Sequence, residues 1–371
     1  MSKFFTKVYS RLFCSKAPIL NKNQVPKSTK YLIFLLGGIG IEFYLYQTDD
    51  DFIVDEFPKS LPATLYRIIP FCYFSRLFGS LSNIEIPVSL RKPILGNYVK
   101  LTGCDMSEAK CSDINNYKSL SDLFQRQLKW NSRVIDRTSD LVSPCDGTVL
   151  HYGKVCNEKL EQVKGVKFTL KGFFGNDFFK FLKKYQISED PVLHYCIIYL
   201  APGDYHRFHS PTECQFEYRR YFTGKLLSVN PKLLKFLPGL FSVNERVAYF
   251  GKWKHGLFTF SAVGATNVGN IVIVFDNTLP VNENYQRLEL VNNRKEGNCL
   301  KMTNNMPITW EKPLQPDIHL SRGQLFGKFL LGSTIVLVFE APPDFSMSVK
   351  RGQKVLMGSP LGSVAQTDTI A

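Results

Sequence analysis

The stretch Phe329-Leu-Leu-Gly-Ser-Thr-Ile-Val-Leu-Val-Phe339 decides the fold of this chain. From Ser333 onward it is a short run of apolar and β-branched residues, which predicts a buried β-strand over Ser333–Phe339. The peptide bond between Gly332 and Ser333 lies where that strand begins. An isolated Gly-Ser pair is ordinarily a plain strand serine, so the rest of the sequence must decide whether this one carries chemistry.

Short β-rich runs of the same kind recur from about residue 140. They are Thr148–Leu150, Leu193–Leu200, Gln215–Phe222, Arg246–Phe250, Leu257–Val263 and Ile271–Phe275. Strands this brief, separated by Gly and Pro, predict an antiparallel, barrel-like core. The polar stretch Val281–Pro313 predicts a long loop.

Residues 62–135 have a mainly helical pattern. Ser119 is a candidate N-cap for a helix whose apolar positions continue to Leu128. The expected fold class is therefore α+β, with N-terminal helices packed on a β-rich core of barrel-like strands.

The first thirty residues contain seven Lys or Arg residues and no acid, and they supply seven of the 14 excess positive charges of the chain. Interspersed apolar residues at helical spacing make 1–30 typical of a mitochondrial transit peptide. A disordered basic arm is the alternative. The chain contains no basic helix or nucleic-acid module, so we do not expect nucleic acid as a partner.

The segment 31–47 predicts a single transmembrane helix preceding the folded body. It is shorter than the usual ~20 apolar residues and contains Glu42, but Tyr31, Tyr44 and Tyr46 flank it as interface anchors would. The basic side is N-terminal, which places the body on the opposite side of the membrane. A buried core helix is the alternative. Farther along, residues 164–185 interleave lysines with phenylalanines, which suits either a membrane interface or an ordinary amphipathic element.

Three separate motifs bear groups capable of chemistry. Asp146 lies in an Asp-Gly turn, His206 and His209 are three residues apart directly after a predicted strand, and Ser333 follows Gly332. Each alone has an ordinary explanation: a turn, a pair of structural histidines, a strand serine. The nine cysteines include no CxxC pair, and the two histidines lack an evident third ligand, so we expect no metal.

Together, the motifs supply a nucleophile, a base and an orienting carboxylate. A serine becomes reactive when a base takes its proton, and that base needs a carboxylate to orient it. Asp146, one of the two histidines, and Ser333 provide these roles. No G-x-S-x-G elbow is present, which disfavours a lipase-type hydrolase.

With these residues in place, the chain resembles the mitochondrial type of phosphatidylserine decarboxylase proenzyme over most of residues 62–364. The motifs that carry the resemblance are Leu65-Tyr-Arg-Ile-Ile-Pro70, Ser143-Pro-Cys-Asp-Gly147, Asp204-Tyr-His-Arg-Phe-His209, Asn244-Glu-Arg246, Val263-Gly-Ala-Thr-Asn-Val-Gly269 and Leu331-Gly-Ser-Thr334. Each is weak alone, whereas six in this order are highly specific.

The resemblance implies a precursor that cuts itself between Gly332 and Ser333. His209, oriented by Asp146, would deprotonate Ser333, and Ser333 would become a covalent pyruvoyl group. The products would be a β chain, including residues 48–332, and an α chain of residues 333–371.

The resemblance also implies the reaction and its place in the cell. The pyruvoyl ketone would form a Schiff base with the amine of phosphatidylserine in a membrane, and loss of carbon dioxide would leave phosphatidylethanolamine. His206 would contact the substrate carboxylate or donate a proton. The enzyme would be a single-pass protein of the mitochondrial inner membrane, with its catalytic body facing the intermembrane space.

Two other functions remain open from the residues. One is a serine hydrolase that uses Asp146, His209 and Ser333 without self-cleavage. The other is a non-enzymatic lipid-binding protein in which the Gly-Ser bond is inert. Both predict an intact chain.

Overall fold

The computed structural model describes residues 71–163, 165–187, 192–234, 237, 239–265, 271–279, 299–301, 309–330 and 332–365. The predicted leader (1–30) and the predicted spanning helix (31–47) lie outside these residues. Among the described residues, no helix is both long enough and apolar enough to cross a bilayer.

Helices dominate the start of the described chain, as predicted. The α-helices are α1 (Phe71–Ser82), α2 (Val88–Thr102), α3 (Leu120–Phe124), α4 (Leu170–Phe174), α5 (Phe178–Tyr185), α6 (Pro231–Leu234) and α7 (Leu240–Val243), and a 3₁₀ turn covers Ile114–Asn116. Leu95 of α2 and Leu123 of α3 are fully buried, together with Tyr117, in a small apolar cluster of their own.

The predicted cap of α3 is confirmed, but its predicted length is wrong. The Ser119 hydroxyl accepts a hydrogen bond from the backbone N–H of Asp122 at 3.1 Å. The helix ends at Phe124 instead of continuing to Leu128. The backbone of Gln127 and Lys129 bonds to the neighbouring segment around Glu108, which competes with helical hydrogen bonding.

The strands follow from residue 141 onward. They are β1 (Leu141–Val142), β2 (Gly147–Lys154), β3 (Lys159–Val163), β4 (Val166–Thr169), β5 (Val192–Leu200), β6 (Arg207–His209), β7 (Cys214–Phe222), β8 (Arg246–Trp253), β9 (Gly256–Val263), β10 (Ile271–Ile273), β11 (Cys299–Lys301), β12 (Thr309–Leu320), β13 (Leu325–Phe329), β14 (Ser333–Ala341), β15 (Phe345–Met347), β16 (Lys354–Val355) and β17 (Pro360–Val364).

Nine strands form one antiparallel sheet in the order β11-β12-β7-β8-β9-β14-β5-β2-β16. Three strands form a second sheet, β10-β13-β6, and three a third, β1-β17-β15. The α+β class is therefore confirmed. The barrel expectation is wrong for the described strands, because the edge strands β11 and β16 do not pair with each other. They have only three and two residues, which is too short to close a sheet.

The strand predicted from the opening stretch, β14, lies inside this sheet. It pairs with β5 from Ser333 to Ala341 and with β9 from Thr334 to Phe339. All nine of its residues are buried, as expected for a continuous run of branched apolar side chains.

The predicted loop Val281–Pro313 is partly wrong. Of its described residues, Cys299–Lys301 form β11 and Thr309–Pro313 begin β12, which pairs with β7. The error has a physical cause: β12 is half exposed and contains two prolines, so its polar sequence lacks the apolar alternation of an ordinary strand.

For the lysine- and phenylalanine-rich segment 164–185, the structure favours the amphipathic element over the membrane interface. Phe173, Phe174 and Phe178 are completely buried, whereas Phe179 is 38% exposed. The segment is therefore an amphipathic element with its aromatic side turned mainly toward the core.

Candidate active site

Ser333 opens β14 with its side chain fully buried. Its Oγ has no hydrogen-bond partner among the described residues. Such an orphaned hydroxyl costs free energy, on the order of 1–3 kcal/mol, and what distinguishes Ser333 from other unpartnered hydroxyls such as that of Ser261 is its position directly after Gly332. Gly332 precedes it, and a methyl group built on Gly332 would lie 3.4 Å from the carbonyl oxygen of Leu200 and 3.7 Å from Nε2 of His206.

His206 is thus the predicted histidine that the structure places beside Gly332. Its Nδ1 lies 2.8 Å from the carbonyl oxygen of Asp204. A carbonyl can only accept, so Nδ1 carries the proton and Nε2 presents a lone pair. This Nε2 is buried and has no partner among the described residues. Burial lowers the pKa of His206 to about 3, which keeps the ring neutral.

The ring of Phe124, the last residue of α3, packs on His206 with the ring centroids 3.9 Å apart. The Arg126 guanidinium donates to the backbone carbonyl of Gly203 at 2.8 Å and so fixes the turn that precedes His206. These neighbours leave the imidazole little freedom to rotate.

His209 ends β6 in a different environment. Its Nδ1 donates to the carbonyl oxygen of Gly323 at 2.9 Å, so the Tyr205 hydroxyl donates to Nε2 at 3.2 Å. Burial lowers the pKa of His209, and the charge of Asp146 acts in the opposite direction. The backbone N–H of His209 also donates to the carbonyl of Pro144 at 2.7 Å, which brings the Asp146 turn alongside.

Asp146 is buried, and none of its described hydrogen bonds joins it to the His209 imidazole. Arg133 donates from Nε to Oδ1 at 2.9 Å and from Nη2 to Oδ2 at 2.5 Å. The backbone N–H of Met357 donates to Oδ1 at 2.8 Å. The structure therefore places Asp146 near His209 through the backbone, without a direct bond between the two side chains.

Asn244 and Arg246 of the Asn-Glu-Arg motif make structural hydrogen bonds to the backbone. The Asn244 amide bonds to the backbone of Leu227 and to the carbonyl of Gly264, which joins two loops. The Arg246 guanidinium donates to the carbonyls of Gly172 and Phe173, at the C-terminal end of α4. Both side chains are fully buried.

Sequence reasoning missed Arg133, Tyr205, Arg126 and Phe124. Tyr205 lies inside the His-x-x-His motif, so its position was a signal that we did not use. The other three precede Asp146 in the helix-and-loop region, where no pattern links them to the site. Within the described ranges, no group of three or more His, Cys, Asp or Glu residues is placed to hold a metal ion.

Comparisons with known proteins agree with one another. The family model for phosphatidylserine decarboxylase matches residues 120–363. The chain is 40% identical to "Phosphatidylserine decarboxylase proenzyme, mitochondrial" of Rattus norvegicus over 333 residues, covering 83% of this chain and 77% of the rat protein. It is 37% identical to the protein of the same name in Caenorhabditis elegans, covering 94% of this chain and 88% of that protein. It is 36% identical to "Phosphatidylserine decarboxylase proenzyme 1, mitochondrial" of Schizosaccharomyces pombe, covering 80% of this chain and 81% of that protein.

Proposed function

Because this chain belongs to the phosphatidylserine decarboxylase family, we propose that it cuts its own backbone between Gly332 and Ser333 and then converts phosphatidylserine to phosphatidylethanolamine and carbon dioxide. The observation that carries this proposal is the buried, unpartnered Oγ of Ser333 next to a glycine. Since Gly332 has no Cβ, its carbonyl can adopt the backbone geometry that an adjacent hydroxyl needs for attack.

In maturation, the Tyr205 hydroxyl releases Nε2 of His209, this nitrogen takes the proton of Ser333, and the charge of Asp146 stabilises the imidazolium that results. Oγ of Ser333 attacks the carbonyl carbon of Gly332, the C–N bond breaks, and an ester replaces the peptide bond. Loss of the α proton of residue 333 then expels the Gly332 carboxylate, and water replaces the nitrogen, which leaves as ammonia. Burial of His209 favours its neutral form, as a base requires.

The residues around Ser333 suit the pyruvoyl group that this cut would leave. The group would begin β14 at an interior strand, with Gly332 and the lone pair of His206 Nε2 on its upstream side. When present, its ketone supplies an electron sink for the decarboxylation.

His206 is the residue that we place in the decarboxylation itself. Its lone pair at Nε2 can accept a hydrogen bond from the ammonium group of the headgroup, and this nitrogen can relay a proton to the carbon that lost carbon dioxide. The Nδ1 bond to Asp204 and the packed ring of Phe124 hold this nitrogen in place meanwhile. Positioning of this kind is what makes a general acid or base effective.

The two chains should remain together after the cut. The α chain would contribute β14, which is bonded to β5 on one side and to β9 on the other. Its apolar residues are buried in the main core, so release would expose them to water.

A serine hydrolase acting on an external substrate fits this site less well. Ser333 is 0% exposed in the uncut chain and begins an interior strand. The neighbouring Gly332 carbonyl is the electrophile that the fold supplies.

Mass spectrometry of the purified protein tests the function. Under denaturing conditions we expect two polypeptides, the smaller one corresponding to Ser333–Ala371 with a pyruvoyl terminus. Under native conditions we expect a single species that contains both. An intact chain of 42.4 kDa with no terminal ketone would contradict the proposal.

Access to a lipid requires contact with a membrane, and α2 offers a suitable surface. Leu90, Ile94 and Leu101 are 48%, 49% and 88% exposed, and they fall within about 40° of one another on a helix that turns 100° per residue. Lys100 is also exposed on this helix, at the flank of these three residues, and suits an anionic headgroup. We call Leu90, Ile94 and Leu101 the α2 stripe.

Other residues of α2 contact the turn that leads to the active site. The Tyr98 hydroxyl donates to the carbonyl of Pro202 at 3.0 Å, and a methyl group on Gly203 would collide with the backbone of Thr102. Pro202 and Gly203 belong to the turn that leads to His206. A bilayer that receives the stripe would therefore lie close to the catalytic histidine.

Replacing all three residues of the α2 stripe with glutamine should weaken action on membrane substrate. We expect the KM for phosphatidylserine in vesicles to rise at least about tenfold, the effect of losing ~1.4 kcal/mol of binding. Self-cleavage and kcat on a short-chain soluble phosphatidylserine should not change. The matched control replaces Ile187 and Val274, exposed apolar residues of other segments, with glutamine. Equal effects in both variants would show that the stripe has no special contact with the bilayer.

We propose a mitochondrial location, following the names of the relatives. The finer assignment is a leader in 1–30, a single inner-membrane span at 31–47 and a body in the intermembrane space. Protease digestion of mitochondria with ruptured outer membranes tests it: the body should be digested, whereas in intact mitochondria it should be protected.

A further inference from the structure

Among the described side chains, Arg133 makes the shortest hydrogen bonds to Asp146. The guanidinium faces the carboxylate edge-on, with Nε to Oδ1 at 2.9 Å and Nη2 to Oδ2 at 2.5 Å. Both side chains are 6% exposed. Two parallel bonds of this kind fix the plane of a carboxylate as well as its charge.

The guanidinium is itself fixed from its other sides. Nη2 also donates to Glu108 at 2.7 Å, and Nη1 donates to the carbonyl of Ser132 at 2.6 Å. Burial lowers the pKa of Arg133, but its bonds to Asp146 and Glu108 outweigh this effect and raise it above the usual value. The cation is therefore permanent and immobile.

The arrangement leaves a defined part of Asp146 free. An ionised carboxylate accepts about four hydrogen bonds. Arg133 Nε is shared between Oδ1 at 2.9 Å and Oδ2 at 3.2 Å, the backbone N–H of Met357 donates to Oδ1, and Nη2 donates to Oδ2. These three N–H groups leave about one of the four acceptor positions unoccupied.

We propose that Arg133 is the positioning residue for Asp146 in self-cleavage: it fixes the place and the plane of the buried carboxylate, whose charge stabilises the imidazolium that His209 forms during the cut. This inference rests on the proposed function, because self-cleavage is its readout. Arg133 touches neither Gly332 nor Ser333 in the described contacts and acts through Asp146.

The test is a double-mutant cycle on the rate of self-cleavage, followed in pulse-labelled cell-free synthesis of the full chain. Arg133→Gln should slow the cut about 10–100-fold, the range for losing a partner that orients a reacting group. Asp146→Asn should slow it more, by up to ~10⁴-fold. The double variant should cut no more slowly than Asp146→Asn alone, because Arg133 has no other route to the reaction.

Glu108→Gln is the matched control. It removes the charge of Glu108 but keeps an oxygen that can accept from Nη2, and it leaves the bonds between Arg133 and Asp146 in place. We expect cleavage within about threefold of the wild-type rate. A loss equal to that of Arg133→Gln would show that the ion network as a whole supports the fold and would overturn the proposal.

Arg133→Lys keeps the inference testable if Arg133→Gln does not fold. Lysine retains the charge but cannot bind both oxygens in one plane, so cleavage should be intermediate in rate. The effect of lysine should vanish in the Asp146→Asn background. If the wild-type chain is not cut, the proposed function fails; if it is cut and all Arg133 variants are cut at the same rate, only the role of Arg133 fails.

Discussion

Replacing Ser333 with alanine is expected to leave one uncut polypeptide of 42.4 kDa and to abolish decarboxylation. In the proposed mechanism the hydroxyl is both the nucleophile of the cut and the source of the ketone, so its removal should eliminate maturation and catalysis together. Denaturing gel electrophoresis and a hydrazine reagent for ketones measure the two losses. The neighbouring Thr334 also has a buried, unpartnered hydroxyl, so a cut that shifts to the next peptide bond would appear as a fragment shorter by one residue.

The fold of this variant should survive. The Ser333 hydroxyl is buried without a partner, and alanine removes that unsatisfied group from a site that is already closed. We expect the free energy of unfolding to stay the same or to rise by about 1 kcal/mol relative to the wild-type precursor before it is cut. Loss of cleavage in a folded chain therefore reports on chemistry.

Ser261→Ala provides the matched control. Ser261 lies on β9, opposite Val336 of β14, and its hydroxyl is likewise fully buried and unpartnered. This variant should be cut at the wild-type rate and should remain active. If Ser333→Ala were still cut after Gly332, or if Ser261→Ala also stayed intact, the assignment of the nucleophile would be wrong.

The sequence predicted the strand pattern well because most strands are apolar runs bounded by turns. Ser333–Phe339 and Leu193–Leu200 became neighbouring strands of one sheet, within one or two residues of their expected bounds. Thr309–Leu320 was missed because its exposed polar residues carry little of the pattern that burial imposes. The helix cap at Ser119 was found because capping depends on local hydrogen bonding, whereas the end of that helix depends on a distant segment.

Much less of the candidate site could be predicted. The pairing of Arg133 with Asp146 depends on how a loop folds against a turn, and nothing in the local sequence encodes it. The two histidines look equivalent at a spacing of three residues. Only the tertiary structure places Nε2 of His206 beside Gly332 and the ring of His209 between Tyr205 and Gly323.

These different environments predict a variant that separates the two stages. His206→Asn should still cut itself but should decarboxylate phosphatidylserine about 10²–10⁴-fold more slowly, the usual cost of removing a general acid or base. Asparagine can retain the hydrogen bond to the carbonyl of Asp204 while deleting the lone pair at Nε2. The kcat of the processed enzyme on soluble phosphatidylserine measures the loss, and mass spectrometry verifies the cut.

The pH dependence adds a second test of His206. Burial lowers its pKa to about 3, so the ring stays neutral from pH 8 down to below pH 5. Protonation of His206 in the free enzyme should therefore produce no acid limb in the kcat/KM profile between pH 5 and 8. The profile of His206→Asn should keep the wild-type shape in that range and lie lower throughout.

A variant of His194 is the control that distinguishes the loss of a reacting group from the loss of a buried histidine. Like His206, it is almost fully buried with an unpartnered Nε2, and burial lowers its pKa to about 4. It lies opposite Phe339 of β14, six positions along the strand from Ser333, and its ring stacks on that phenylalanine. His194→Asn should therefore leave kcat within about threefold of wild type. If the two variants lost activity equally, the effect would come from packing. A His206→Asn enzyme with full activity would show that His206 takes no part in the reaction.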